Sequence, residues 1–203
     1  MHVLNCADSG VLVEVEDLGR VLALQAALAE DPIPGVVEVV PAARTVLLRI
    51  DPAAPGGPRA VADAVRRLRP SPGGRPAGPE VEIEVHYDGA DLADAAALTG
   101  MTERELVRAH TAAEWTVAFC GFAPGFGYLV CDDPRLRVPR RGESRTRVPA
   151  GSVALAGGFG GVYPRSSPGG WQLIGRTDAV VWDLDRDPPG LLAPGTRVRF
   201  HEA

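Results

Sequence analysis

The chain has 203 residues, 45% hydrophobic and 23% charged, with a net charge of −5; this is the make-up of a folded globule of one or two domains and excludes wholesale disorder. All 21 basic residues are arginine, which rules out a Schiff-base lysine and a lysine-bearing phosphate loop in this chain, and the acidic balance gives no electrostatic ground for a nucleic-acid partner. No apolar run reaches the roughly 18 residues of a membrane span, the first residues lack a signal-peptide pattern, and three cysteines without a C-x-x-C pair argue against a disulfide framework or cysteine-rich zinc site, so a cytoplasmic protein without a membrane partner is expected.

Val11–Val15 is a short β-branched run, followed by Leu18, Val21, Leu22, Gln25 and Leu28 at helical spacing. Asp31-Pro32 and Pro34-Gly35 end that helix, and Val36–Val40 and Thr45–Ile50 read as a hairpin turned at Pro41–Arg44. A second amphipathic helix carries Val61, Ala64, Val65 and Leu68 inward and Arg66, Arg67 and Arg69 outward. The order βαββα needs one more strand to complete a ferredoxin-like α+β domain over residues 1–79. Residues 70–79, rich in proline and glycine, offer almost no apolar surface and read as its linker. Val81–Val85 alternates as a strand that either finishes this domain or opens the next, residues 80–203. There, two short helices are expected at Asp91–Leu98 and Thr102–Thr111, the second with a Thr102/Glu105 capping box. Beyond Trp115 short apolar runs (115–119, 152–156, 171–174, 179–184 and 197–200) alternate with Gly- and Pro-rich turns, the pattern of a β-sandwich or small barrel.

Three glycine clusters interrupt this β region. Gly121–Leu129 sets Phe122, Phe126 and Tyr128 among glycines and Pro124, as either a barrel corner with aromatic plugs or a cleft lining. Ala156–Pro164 matches no phosphate fingerprint, because no helix follows it. Ser167–Thr177 enters a strand carrying Gln172 and Arg176, which four-residue spacing puts on one face. A guanidinium and an amide there suit carboxylate or phosphate recognition, or the arginine simply pairs with a surface acid. Between the clusters, five arginines from Arg137 to Arg147 face one acid, as an anion-binding loop or a solvated one. The four histidines have no metal-ligand spacing, and His110, near a helix end, complements the helix dipole. Ser152 lacks a nucleophile-elbow sequence, and Cys120 reads as a buried inert thiol.

Taken in order, Gly121-Phe122-x-Pro124-Gly125-Phe126-x-Tyr128-Leu129, Pro139-Arg140, Arg147–Val153, Tyr163-Pro164 and Ser167-Pro168-Gly169-Gly170-Trp171-x-Leu173–Thr177 resemble the family that contains the 5-oxoprolinase B subunit, the first subunit of allophanate hydrolase and the sporulation-kinase inhibitor KipI. The resemblance extends upstream through His86–Gly89, Asp91-Leu92, His110-Thr111 and Pro34–Val36. It implies a small N-terminal α+β domain and a cyclophilin-like β-barrel. It also implies a companion C subunit in a heterodimer or heterotetramer, joined by an A subunit, and ATP-dependent hydrolysis of 5-oxo-L-proline to L-glutamate. ATP would be shared with the partner, and whether magnesium accompanies it is left open. The alternatives are a KipI-like inhibitor of a sensor histidine kinase and an allophanate-type hydrolase component. From residue type and motif membership, Arg147 and Arg176 are expected to hold developing negative charge, and His110 and Tyr128 to move or position a proton. Phe122, Pro124, Gly125, Phe126, Gly169, Gly170 and Gln172 are expected to line the ligand. One departure stands out: Gly158–Val162 replaces a more usual Gly-Gln-Thr-Gly-Ile and loses two polar side chains.

Overall fold

The computed structural model describes residues 1–70 and 78–203, so most of the expected linker at 70–79 lies outside the described residues. The chain divides into two compact units, Met1–Arg75 and Pro76–Ala203.

The first unit runs β1 (His2–Cys6), β2 (Gly10–Glu14), α1 (Leu18–Glu30), β3 (Val36–Pro41), β4 (Thr45–Ile50) and α2 (Gly57–Arg67). Its antiparallel sheet has the order β1-β2-β4-β3. The βαββα order is present, but the fourth strand of this sheet is β1, which precedes that order instead of following α2 and pairs with β2 from His2↔Glu14 to Cys6↔Gly10. β1 sits at the sheet edge and buries none of its residues fully, so it carries no period-two signal. The Asp17 carboxylate caps α1 by accepting the Arg20 N–H at 2.9 Å. Helices α1 and α2 bury Val21, Leu24, Leu28, Val61 and Val65 against Val11, Val13, Val46, Leu48 and Ile50 of the sheet, each such side chain contributing about 1.5–3 kcal/mol.

The second unit holds β5 (Glu80–Val85), α3 (Leu92–Thr99), α4 (Glu103–Ala112), β6 (Trp115–Cys120), β7 (Gly127–Val130), β8 (Arg145–Val148), β9 (Ser152–Ala156), β10 (Phe159–Val162), β11 (Ser167–Gly169), β12 (Gln172–Arg176) and β13 (Arg197–Glu202). Seven strands form one sheet, β12-β9-β10-β7-β6-β13-β5, and β8 and β11 a separate ribbon. β5 therefore belongs here, parallel to β13. The outer strands return to each other: His86 and Arg176 exchange two N–H···O bonds of 2.9 Å, and the sheet is a nearly closed barrel. The seam continues as Gly89 and Asp91 donate their N–H groups to Ile174 O and Leu173 O. A Cβ on Gly89 would stand 2.3 Å from the Leu173 carbonyl oxygen, so only glycine lets the two segments meet.

Thr102 and Glu105 form the expected capping box on α4. Ala179–Leu184 is not a strand but a loop with a single bridge, Trp182↔Gly190. The Asp183 carboxylate accepts the Asp185 N–H at 3.0 Å, a local turn that competes with extended pairing. The Ala156–Pro164 cluster is a hairpin: β9 and β10 turn at Gly157-Gly158, with Ala156 opposite Phe159.

The barrel strands separate two apolar clusters. Val153, Leu155, Leu129, Val162 and Ile174 join Trp115, Phe200 and the buried faces of α3 and α4. The alternate residues Ala154 and Ala156 join Phe126, Tyr163, Trp171 and Leu173. The period-two alternation of β9 thus feeds a different core on each face. Among the described residues, no helix is long and apolar enough to cross a membrane.

Candidate functional site

The second cluster opens onto the surface. Tyr128 stacks on Phe119 at a centroid distance of 4.4 Å and meets Phe126, Phe159 and Trp171 edge-on at 5.1–5.6 Å. Phe122 leads out of this cluster, touching Phe126 and Tyr163 edge-on at 5.4 and 6.2 Å while 60% exposed. Its φ of +68° is a left-handed conformation that costs a bulky residue about 1–3 kcal/mol. The tight β6–β7 turn imposes it: Phe126 and Ala123 N–H groups bond to Ala123 O and Gly121 O. Gly125, at φ +80°, backs onto Trp182. A strained aromatic held out into solvent is a feature that packing alone does not produce.

The arginine loop is anchored by a residue that spacing gave no reason to single out. Asp91, 1% exposed, accepts two bonds from Arg145 (2.7 and 2.8 Å), one from Arg141 (2.5 Å) and the Leu173 N–H (2.8 Å). Burial pushes its carboxyl pKa upward, but the Arg145 and Leu173 hydrogen bonds and the charges of Arg145 and Arg141 outweigh that and hold it below the ordinary range. The loop is therefore not free, since two of its guanidiniums are clamped to the barrel seam, although Arg140 and residues 142–144 are exposed. Arg140, by contrast, makes no hydrogen bond or ion pair with any described residue, and is exposed. Its charge acts on the Tyr128 and Tyr163 phenols, partly opposing the upward push of burial on both.

Arg140 and Arg141 also line a cavity of about 540 Å³, with Pro139, Gly142, Gln172 and, from α3, Asp94, Ala97 and Leu98. Gln172 is 4% exposed and its Nε2 donates to Pro139 O at 3.2 Å. Its Oε1 is buried without a partner among the described residues, as is Arg141 Nε.

The expected site residues divide accordingly. Phe122, Phe126 and Tyr128 come together, with exposed Pro124 and buried Gly125 in the same turn. Gly169 backs the aromatic cluster, where a Cβ would lie 2.3 Å from the Tyr163 hydroxyl oxygen, and Gly170 backs the arginine loop, where a Cβ would lie 2.8 Å from Ser144 Oγ. Gln172 and Arg176 do not share a face. β12 shifts register against β9 between Leu173 and Gly175, so Gln172 opposes Leu155 while Arg176 opposes Ser152, and the extra residue inverts the alternation. Arg176 pairs at 2.8 Å with Asp88, both side chains about half exposed, the surface pair of the plainer reading. Arg147 donates to Ser166 Oγ at 3.2 Å.

His110 lies in the other cluster, wholly buried. Its Nδ1 is 2.8 Å from Tyr87 Oη, and its ring packs on Trp115 and Phe200. Burial lowers its pKa to about 3, so it is neutral and, with Tyr128 on the opposite face, no partner to that phenol. Cys120, whose thiol donates to Leu192 O, has its pKa raised by burial and is unreactive. No group of three or more His, Cys, Asp or Glu side chains that could hold a metal ion occurs among the described residues.

Comparison with known proteins places this geometry. The sequence matches the carboxyltransferase domain, subdomain C and D, over residues 1–192. It is 44% identical over 178 residues to the 5-oxoprolinase B subunit of Escherichia coli O157:H7, covering 83% of this chain and 78% of that one. The crystal structure of TTHA0988 superposes with a TM-score of 0.76 at 38% identity, covering 96% of this chain. This chain spans only 39% of the length of that protein. The Kluyveromyces lactis urea amidolyase shares the fold, with a TM-score of 0.78 at 21% identity over 99% of this chain and 15% of that one.

Proposed function

This chain belongs to the carboxyltransferase domain family, subdomain C and D, and from that premise we propose that it is the B subunit of a 5-oxoprolinase. In that role it acts with its A and C companions in the ATP-dependent hydrolysis of 5-oxo-L-proline to L-glutamate. The observation that carries this reading is the 44% identity to a 5-oxoprolinase B subunit across most of both chains. We read the first unit as ferredoxin-like, closed by β1 rather than by a final strand, and the second as a cyclophilin-like barrel.

The chain does not by itself fit ATP or magnesium. Its glycine clusters are hairpin and corner turns with no helix after them, so they build no phosphate cradle. Around the cavity three guanidiniums (Arg140, Arg141, Arg145) face two carboxylates (Asp91, Asp94), leaving one net positive charge. That suits a monoanion rather than a triphosphate. The nucleotide is therefore assigned to a surface that the companion chains complete.

What this chain contributes is substrate handling. Opening a lactam requires negative charge to develop on a resonance-stabilised amide oxygen, and preorganised donors in a water-poor site lower that barrier. The surfaces available for this are the Phe122–Tyr128 aromatic turn and the hollow lined by Arg140, Arg141 and Gln172, where Asp91 holds Arg141 in place. The charge-holding role expected of Arg147 and Arg176 passes to Arg140 and Arg141. Tyr128, protonated at neutral pH, positions rather than transfers a proton.

Mixing the purified chain with its A and C companions, 5-oxo-L-proline and ATP should release glutamate only when all three chains are present. Glutamate release that is unchanged when this chain is omitted, or no turnover in the complete mixture, overturns the reading.

A further inference from the structure

The two edges of the first unit's sheet are built differently. Strand β3 carries Glu38, Pro41 and a register shift between Val36 and Glu38, and a charge, a proline and a bulge are the devices that keep an edge from pairing with another chain. Strand β1, His-Val-Leu-Asn-Cys over residues 2–6, has none of them. It pairs with β2 along its whole length without a bulge, and among the described residues no strand lies on its other side. The backbone N–H and C=O groups on that side form an open ladder.

The side chains extend the argument. Val3 packs on the core beneath α1 and α2, so alternation puts Leu4 on the face of the sheet away from the helices. There the register aligns Leu4 with Leu12, Leu47 and Val40, one apolar residue from each strand. None of these belongs to the helix-packed core, and Leu4, at the open end of the row, is 49% exposed. Antiparallel pairing of β1 with a second β1 about a two-fold axis at Leu4 sets Leu4 against Leu4, Val3 against Asn5 and His2 against Cys6. Every residue of the strand then has a partner, no like charges meet, and the apolar row runs unbroken from one sheet into the next.

We propose that the β1 edge pairs with the same edge of a second copy of this chain, giving a two-fold dimer with one continuous sheet. A strand from a different protein could use the same ladder, but the self-complementary register and the absence of charge on β1 favour the second copy. The inference does not depend on the 5-oxoprolinase reading.

Sedimentation equilibrium of the full chain, alone and assembled with its companions, should find two copies of it per particle. Leu4→Lys would set two ammonium groups face to face and should weaken self-association by about tenfold or more. Leu4→Glu should do the same, and mixing the two variants should restore a dimer, which a merely misfolded variant cannot do. Val37→Lys, at an exposed position of β3, should leave self-association unchanged, and thermal melting of the same samples shows that the variants are folded. Under mild oxidation His2→Cys should give a disulfide-linked dimer through Cys6 of the second copy, since positions 2 and 6 of one strand stand about 13 Å apart and cannot close on themselves. A chain that is monomeric at every concentration, a dimer split by Val37→Lys but not by Leu4→Lys, lysine and glutamate variants that fail to recombine, or a dimer that never forms the disulfide would each overturn the proposal. Loss of a companion on Leu4→Lys substitution in a chain that is monomeric alone would assign the edge to that companion and overturn it as well.

Discussion

Replacing Asp91 with asparagine tests whether the arginine loop is held by one buried carboxylate. The substitution keeps the shape and one carbonyl oxygen but removes the charge on which Arg141, Arg145 and the Leu173 N–H converge. Breaking a buried ion pair by deleting one partner costs about 3–5 kcal/mol. The two guanidiniums are 31% and 24% exposed, so water recovers part of this, and a loss of about 2–3 kcal/mol is expected. For a domain of this size that lowers Tm by roughly 6–12 °C. Because the folded pKa of Asp91 lies below its unfolded value near 3.9, its contribution is fully present above about pH 4 and is lost as pH falls through the folded pKa. The gap between wild type and Asp91→Asn should therefore stay constant from pH 5 to 8 and close in stronger acid. Limited trypsin digestion gives an independent readout, since Arg141 and Arg145 are themselves cleavage sites: freeing the loop should speed cleavage there by about 10- to 100-fold through local opening. Unchanged cleavage together with a Tm within about 2 °C of wild type would refute the clamp.

Phe122→Gly should raise Tm by a few degrees, by removing about 1 kcal/mol of left-handed strain, yet reduce glutamate release by the assembled complex; a variant both more stable and fully active would mean the strain serves nothing. Gly169→Ala should cost about 2–3 kcal/mol by driving a methyl to 2.3 Å from the Tyr163 hydroxyl, and adding Tyr163→Phe should restore part of that in chemical denaturation, whereas strict additivity would place the clash elsewhere. His110, with a folded pKa near 3 against about 6.5 unfolded, opposes folding wherever the unfolded chain would take up its proton. Stability should thus fall by up to about 1.4 kcal/mol per pH unit below pH 6.5, and His110→Phe should flatten that decline in urea titrations at pH 5 and 7. Arg176→Ala should change Tm by less than about 3 °C, as for any exposed pair, and leave the KM for 5-oxo-L-proline unchanged; a tenfold rise would return Arg176 to the site.

Helix spacing made α1 and α2 legible, and turn chemistry did the same for the β3–β4 hairpin and the Thr102 capping box, because each is specified within a dozen residues. What escaped was specified across the chain. β1 is a largely exposed edge strand held by pairing with β2 and by Val3 on the core beneath it. The bulge in β12 depends on the two-against-one match with β9, so the rule that residues four apart share a face fails for Gln172 and Arg176. Asp91 enters the sequence reading only as part of the Asp91-Leu92 motif near a helix start, and its weight comes from Arg141 and Arg145, fifty and fifty-four positions away. The glycines of Ala156–Pro164 have the density of a ligand cradle, yet Gly160 and Gly161 leave room for Trp115, Phe126 and Trp171. The missing polar pair of the Gly158–Val162 stretch thus falls in and beside a packed hairpin.

His110 and Gln172 show how burial and function come apart in one barrel. Each is buried, polar and left with one unmet atom; motif membership singles out His110, whereas Gln172 stands at the unspecified position of its motif. His110 is enclosed by Tyr87, Trp115 and Phe200, so its unmet nitrogen has aromatic rings where a ligand would have to stand, and its cost is borne by the core. Gln172 and Arg141 line open volume, although the unmet atom of each is itself covered. Strand register does not separate them, because Gln172 opposes Leu155 and so shares the face of β9 that packs toward α4. What separates them is the hollow beside α3, which Gln172 lines and His110 does not.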